Sequence, residues 1–206
     1  MKPDRDNKNI SLEDPRTLLH WYDLLCPFCY IAQQRNEILT GHSLTVIEMP
    51  LRAHPEIPPE GQWVGPRRGP MYEHLEQEAQ LAGLLLRWPD RLPDTRLALA
   101  AAEWVRLYQG QAFAAFQRGL FSAHFALGED LGDARTIEHH AREAGVDAGK
   151  LAAALADGAA VAALGQSEQQ ARAYGVSGTP AWLINGRLVS GLQPAAWFEK
   201  LAMTIA

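Results

Sequence analysis

The feature that most constrains this chain is a pair of cysteines placed between a strand-like run and a helix-like run. The motif Cys26-Pro27-Phe28-Cys29 holds both cysteines of the 206 residues. The run at 18–22 is apolar and aromatic, which is typical of a strand, and the run at 30–39 consists of good helix formers. A proline early in a helix loses no hydrogen bond. The pattern predicts strand, motif and helix in that order.

The start of a helix favours redox chemistry at such a pair. Unpaired N–H groups and the positive end of the helix dipole stabilise a thiolate, which is the nucleophilic form of cysteine. We therefore expect Cys26 to be exposed, to have a lowered pKa and to attack a substrate disulfide. Cys29 lies one turn into the helix, and we expect it to be shielded and to resolve the mixed disulfide.

Two structural interpretations of the pair remain open. A disulfide that closes so short a loop stabilises a fold little. A zinc site built only from cysteines needs four thiolates, and the chain has two. A mixed cysteine and histidine site is still possible, because seven histidines are present.

Composition indicates one domain, or one domain with an insertion. The formal charge is −5 and basic residues are scattered, so we expect no nucleic-acid partner. We predict no signal peptide and no membrane span. The expected location is a reducing cytoplasm, where paired cysteines are more often catalytic than structural. Residues 1–14 are polar and are expected to form a flexible, solvated lead-in.

The sequence patterns after the predicted first helix indicate how the chain is divided into a main domain and an insertion. The β-branched run at 44–49 predicts a second strand, parallel to the first, with the cysteines at the carboxyl end of the first strand. Prolines and glycines fill residues 50–70 and predict a long loop without regular structure, which either flanks the site or merely links segments. Residues 71–157 are predicted to be a helical insertion, so the main domain comprises 15–70 and 158–206.

The carboxy-terminal part predicts a helix, a hairpin and a last helix. Asn185-Gly186 between two β-rich runs is a strong signal for a hairpin with a type I′ turn. Pro194 then begins a terminal helix. Just before the hairpin stands Gly178-Thr179-Pro180.

These pieces together resemble a known family. From about residue 17 to 206 the chain is similar to thioredoxin-fold proteins of the DsbA-like group, most of all to their FrnE-type branch. The resemblance rests on the cysteine motif with its flanks at 23–30, the loop 54–61 and the segment 175–180. It implies an α/β thioredoxin-like fold, with a mixed sheet in βαβ then ββα order and an inserted all-helical subdomain.

The resemblance also implies roles for individual residues. Pro180 is expected to be cis and to lie opposite the cysteines, with the Thr179 backbone presented to substrate. Pro27 and Phe28 are expected to shape the site. They lack the histidine of the strongly oxidising members, so Cys26 should be less acidic here. The second cysteine pair of some FrnE-type members is absent from this sequence.

The sequence thus predicts a DsbA-like protein disulfide oxidoreductase that needs no cofactor or metal. Its partners would be a protein or small-molecule thiol or disulfide and an unknown redox partner. One alternative is a glutathione-dependent enzyme of the 2-hydroxychromene-2-carboxylate isomerase or kappa-transferase type, against which the second thiol argues. Another is a non-catalytic thiol- or metal-binding protein. Asp23 is expected to be a turn residue, and all histidines structural or solvated.

Overall fold

A computed structural model describes residues 14–205, so the predicted lead-in at 1–14 lies outside the described residues except for its last one. The strands are β1 (Thr17–Tyr22), β2 (Thr45–Pro50), β3 (Gln62–Trp63), β4 (Arg91–Leu92), β5 (Ala181–Ile184) and β6 (Arg187–Ser190). The helices are α1 (Pro27–Gly41), α2 (Pro70–Leu81), α3 (Arg96–Tyr108), α4 (Gly110–Ser122), α5 (Ala134–Glu143), α6 (Ala148–Ala156), α7 (Ala159–Ala173) and α8 (Ala195–Ile205).

Within residues 14–205 the main sheet has four strands, in the order β2, β1, β5, β6. β1 runs parallel to β2 and antiparallel to β5, which pairs with β6 as a hairpin. The predicted parallel βαβ unit and the predicted hairpin are therefore confirmed. At the hairpin turn Asn185 and Gly186 both have positive φ, at 48° and 74°, a conformation that asparagine and glycine tolerate best.

Helices cover both faces of the sheet because successive residues of β1 and β5 point to opposite faces and residues on both faces are buried. On one face Leu18 and Trp182 belong to a buried cluster with Ala32 of α1 and Phe198 of α8. On the other face Trp21 packs in a cluster that includes Ala171 of α7. This mixed sheet between helical layers is the predicted thioredoxin-like α/β class.

The helices between β2 and α7 form a second packed region against the start of α1. Its apolar cluster contains Trp104, Phe116 and Phe121, and it also takes in Cys29 and Tyr30 of α1. The redox motif therefore lies where the sheet domain meets the helical segment. The predicted boundaries at 70 and 158 remain a prediction.

The expectation that residues 50–70 lack regular structure is wrong at one place. β3 pairs with β4 in a short antiparallel ribbon, in which Gln62 lies opposite Leu92. The partner strand comes after α2, so no local pattern in the loop could indicate the pairing. The ribbon brings the segment after α2 beside the proline-rich loop.

Helix length bears on membrane crossing. No single helix within residues 14–205 is long and apolar enough to span a bilayer. The pair α6 and α7 together reaches the length and composition required, with a 77° bend between them.

Candidate active site

Cys26 is the N-cap residue of α1, at the end of the turn that follows β1. Its carbonyl accepts hydrogen bonds from the N–H groups of Cys29 and Tyr30, at 3.0 and 3.1 Å. Pro27 occupies the first helical turn, as predicted. The sulfur of Cys26 thus belongs to the residue that opens the helix, where free N–H groups favour negative charge.

The two thiols have different environments. Both cysteines are free; Cys26 is partly exposed, whereas Cys29 has no accessible surface. Hydrogen bonds from Cys29, followed by one from the Thr179 side chain, lower the pKa of Cys26 against the opposing effect of burial. Burial, and then the sharing of a hydrogen bond with Cys26, raise the pKa of Cys29 well above its usual value. Cys26 is therefore the sulfur that ionises first.

The segment before β5 meets Cys26 from the other side. The Thr179–Pro180 peptide bond is cis. The Cys26 thiol donates a hydrogen bond to the Thr179 carbonyl at 3.3 Å. Pro180 is buried, and its carbonyl accepts the N–H of Gly191 at 2.8 Å, which ties it to the end of the hairpin.

Asp23 is a fully buried carboxyl group beneath the motif. One carboxyl oxygen accepts the N–H of Leu25 at 2.9 Å, and the other accepts the N–H of Ala53 at 2.7 Å. Burial raises the pKa of Asp23, and these two bonds oppose the rise. Asp23 is thus a turn residue, as the sequence indicated, and it also fixes the loop after β2 to the cysteine motif.

A cleft of about 570 Å³ opens beside Cys26, a size typical of small-molecule sites. Four of the six predicted site residues, Cys26, Pro27, Phe28 and Thr179, line it. The other two, Cys29 and Pro180, are buried. The structure therefore brings residues from the two distant motifs to one cavity.

Sequence reasoning missed the opposite wall of the cleft. This wall consists of residues from the proline-rich loop, the start of α2, the segment around β4 and the turn that follows α4: Ala53, His54, Arg67, Met71, Tyr72, Trp88, Pro89, Leu92, His124 and Phe125. The loop 50–70 thus flanks the site, which is one of the two interpretations left open. The one sequence signal for this placement is that the loop follows β2, which pairs with the strand that leads into the cysteine motif.

Two histidines, His54 and His124, line the cleft, and the expectation that the histidines are structural or solvated stays a prediction. His124 is the buried one of the two. It stands in a π-helical turn, Ala123–Leu127, that continues α4, and such turns are frequent at functional sites. Its Nε2 is buried without a hydrogen-bond partner among the described residues. Burial lowers its pKa to about 4, so the ring is neutral at neutral pH.

His20, by contrast, serves the core. It stacks on Trp182 with the ring centroids 4.5 Å apart, and its Nδ1 lies 2.8 Å from the Asn36 amide nitrogen. Asn36 also donates to Glu48 at 2.9 Å and accepts from the Trp182 indole at 2.9 Å. This polar network joins three elements of the sheet domain to α1.

Metal ligands do not cluster in the part of the chain that the structure describes. No group of three or more His, Cys, Asp or Glu side chains within residues 14–205 is arranged to hold a metal ion. His139 and His140, adjacent on α5, have ring centroids 5.0 Å apart, and His140 pairs with Glu129 at 2.7 Å.

A family comparison covers nearly all of this architecture. The model of the DSBA-like thioredoxin domain matches residues 17–202. The chain belongs to this DsbA-like family. The family match confirms the resemblance seen in the sequence, while the finer placement in the FrnE-type branch stays a prediction. No curated protein matches the chain by sequence.

Solved structures show the same DsbA-like fold at low sequence identity. A Streptomyces coelicolor protein assigned as a DsbA oxidoreductase is 22% identical with a TM-score of 0.80, covering 92% of this chain and 89% of its own. A 2-hydroxychromene-2-carboxylate isomerase is 21% identical with a TM-score of 0.72, covering 91% and 94%. The cytosolic disulfide reductase DsbM of Pseudomonas aeruginosa is 21% identical with a TM-score of 0.63, covering 92% and 98%.

Proposed function

We propose that this protein is a thiol–disulfide oxidoreductase whose redox centre is the Cys26–Cys29 dithiol. The observation that carries the proposal is the contrast between the two sulfurs. Cys26 is partly exposed at the mouth of a cleft and has a lowered pKa, while Cys29 is sealed beneath it with a raised pKa. Membership of the DsbA-like family supports this chemistry.

The reaction takes two exchange steps. The Cys26 thiolate attacks one sulfur of a substrate disulfide, whose S–S bond breaks and whose other sulfur leaves as a thiolate that takes up a proton. Cys29 then loses its proton and attacks Cys26, which releases the second substrate thiol. The substrate gains two electrons. The protein loses these two electrons as its two thiols become a disulfide. The reverse sequence oxidises a dithiol substrate.

The cis Thr179–Pro180 segment supports binding of an extended substrate next to Cys26. When the substrate sulfur bonds to Cys26, the hydrogen bond from the Cys26 thiol to the Thr179 carbonyl is lost, and that carbonyl becomes free to accept an N–H of the substrate. The proposed partners are therefore protein or small-molecule thiols and disulfides. The redox partner and the cytoplasmic location stay predictions.

A redox titration tests the proposal. The reduced protein is equilibrated in glutathione buffers of graded potential, and the fraction of Cys26–Cys29 disulfide is measured by mass spectrometry after acid quenching. The proposal predicts a single two-electron transition that is absent from both single-cysteine variants. A protein that never forms the intramolecular disulfide would refute it.

An activity assay on the Cys29→Ser variant distinguishes the proposed function from the isomerase-type alternative. Disulfide reductase turnover with dithiothreitol should collapse in the Cys29→Ser variant, because the mixed disulfide on Cys26 can no longer be resolved internally. A glutathione-dependent isomerase would keep its activity in that variant, since it needs no second thiol.

A further inference from the structure

The charge of the cleft points to the class of substrate that it accepts. The chain carries 24 acidic and 19 basic residues, yet no acidic residue is found among the described residues that line the cleft. The lining holds one permanently charged side chain, Arg67, together with His54 and His124. Among the described residues of this lining, the one permanent charge is thus positive in a protein of net charge −5, and a positive charge on a cleft wall favours anions.

Arg67 is available to bind a ligand. No carboxylate within residues 14–205 forms an ion pair with it, whereas Arg52 and Arg91 lie 3.8 Å from Asp94 and Asp130. Its contacts are with Tyr72, whose hydroxyl lies 3.4 Å from Nη1 and whose ring centroid lies 5.9 Å from the guanidinium carbon. These contacts hold the guanidinium at the cleft wall, and none of the carboxylates that the structure describes pairs with its charge.

The other charged groups near the cleft do not replace this cation. His54 lies 3.0 Å from Glu56, which offsets its charge when it is protonated. His124 is neutral at neutral pH. Asp23 is buried behind Cys26, with both carboxyl oxygens bound to backbone N–H groups.

Resting on the proposed function, we infer that Arg67 selects substrates of this site that carry a carboxylate or a similar anionic group near the sulfur. The preferred class is a low-molecular-weight anionic disulfide, whose acid group binds the guanidinium while one sulfur reaches Cys26. Arginine suits this task because its planar fork presents paired donors to a carboxylate. The oxidant of the Cys26–Cys29 dithiol is that disulfide, which leaves as two thiols.

Three small symmetric disulfides that differ in charge test the inference: dithiodiglycolate (anionic), bis(hydroxyethyl) disulfide (neutral) and cystamine (cationic). The rate at which each oxidises the reduced protein is followed by tryptophan fluorescence or quenched mass spectrometry. Each rate is divided by the rate of the same disulfide with free dithiothreitol, which removes differences in intrinsic reactivity. We expect the normalised rate to be highest for dithiodiglycolate and lowest for cystamine.

Substitutions then assign the preference to one side chain. Arg67→Gln should lower the anionic-to-cationic rate ratio about three- to tenfold, the effect of one partly screened charge pair. Arg67→Lys should give an intermediate ratio, because lysine keeps the charge but lacks the paired donors. Arg68→Gln is the matched control, because Arg68 is exposed and adjacent but does not line the cleft, and its ratio should equal that of the wild type.

The results distinguish the role of Arg67 from the redox function on which that role depends. Equal normalised rates for all three disulfides, or an equal loss of preference in Arg67→Gln and Arg68→Gln, would overturn the role of Arg67 and leave the redox function standing. Failure of all three disulfides to oxidise a Cys26–Cys29 pair that glutathione buffers do oxidise would overturn the proposed substrate class alone, and failure in the glutathione titration as well would overturn the redox function itself.

Discussion

The thiol of Cys26 lies 3.3 Å from the carbonyl oxygen of Thr179, a residue 153 positions further along the chain. This contact joins the start of α1 to the turn before β5, because β1 and β5 are neighbours in the sheet. Thr179 therefore contacts the redox sulfur and also lines the cleft. The proximity of these two motifs is the geometric basis of the proposed function.

Alkylation should distinguish the two cysteines. In the reduced protein at neutral pH, iodoacetamide should modify Cys26 at least about tenfold faster than Cys29, because only Cys26 is accessible and has a lowered pKa. Peptide mass spectrometry gives both rates. The rate for Cys26 should rise with pH through a midpoint below the ordinary cysteine pKa of about 8.5. A midpoint above that value would contradict the assignment.

Asp23→Asn should make Cys26 more acidic. The buried carboxylate opposes ionisation of Cys26, so its removal should lower the pH midpoint of alkylation. A more stable thiolate stabilises the reduced form, and the protein should become more oxidising in the glutathione titration.

Asp157→Asn is a suitable control for that change. Asp157, like Asp23, accepts the N–H of the residue two positions later at 2.9 Å, but it lies between α6 and α7. Its variant should leave the alkylation midpoint of Cys26 unchanged. An unchanged midpoint in Asp23→Asn as well would show that the Asp23 charge does not reach the sulfur.

His124 should contribute to the pH dependence of stability. Its pKa is lowered from 6.5 to about 4 in the fold, so between these values the unfolded chain binds a proton that the folded protein does not. The free energy of unfolding should therefore fall as the pH falls from about 6.5 to 4, by up to about 3 kcal/mol from this residue. Urea denaturation at graded pH measures it.

The His124→Gln variant isolates this contribution. Asp23 has the opposite sign, since its raised pKa stabilises the fold at low pH, but it acts equally in both proteins. The difference in slope between wild type and variant over pH 4–6.5 should therefore report His124 alone. Parallel curves would mean that folding does not lower the pKa of His124.

Asn36→Ala should destabilise the sheet domain. It removes the hydrogen-bond partner of the buried Trp182 indole and breaks contacts with His20 and Glu48. The expected loss is about 2–4 kcal/mol in the free energy of unfolding, measured in urea. Gln169→Ala, at an exposed position of α7, should change it by less than about 0.5 kcal/mol.

The sequence predicted the parts of the fold that have local signals. The strand before Cys26, the helix after it and the hairpin at Asn185-Gly186 each follow from patterns within about a dozen residues, and each is present. The β3–β4 ribbon could not be predicted, because its strands have two residues each and pair across the whole of α2.

The residues of the candidate site also fall into two groups, those that the sequence predicted and those that it did not. Cys26 and Cys29 were predictable because their spacing and position carry chemical meaning, and Thr179 because the family resemblance assigns it a place. Arg67 and His124 had no such signal. An arginine in a loop rich in proline and a histidine on an apolar helix become site residues only through tertiary packing, which closes the cleft around Cys26.

Mixed-disulfide trapping on the single-cysteine variants tests the central claim most directly. When Cys29→Ser and Cys26→Ser are each reacted with a disulfide substrate and quenched, Cys29→Ser should accumulate a mixed disulfide on Cys26. Cys26→Ser should accumulate none, because the remaining sulfur is buried. Capture through Cys29, or no capture in either variant, would contradict the account of Cys26 as the attacking thiol.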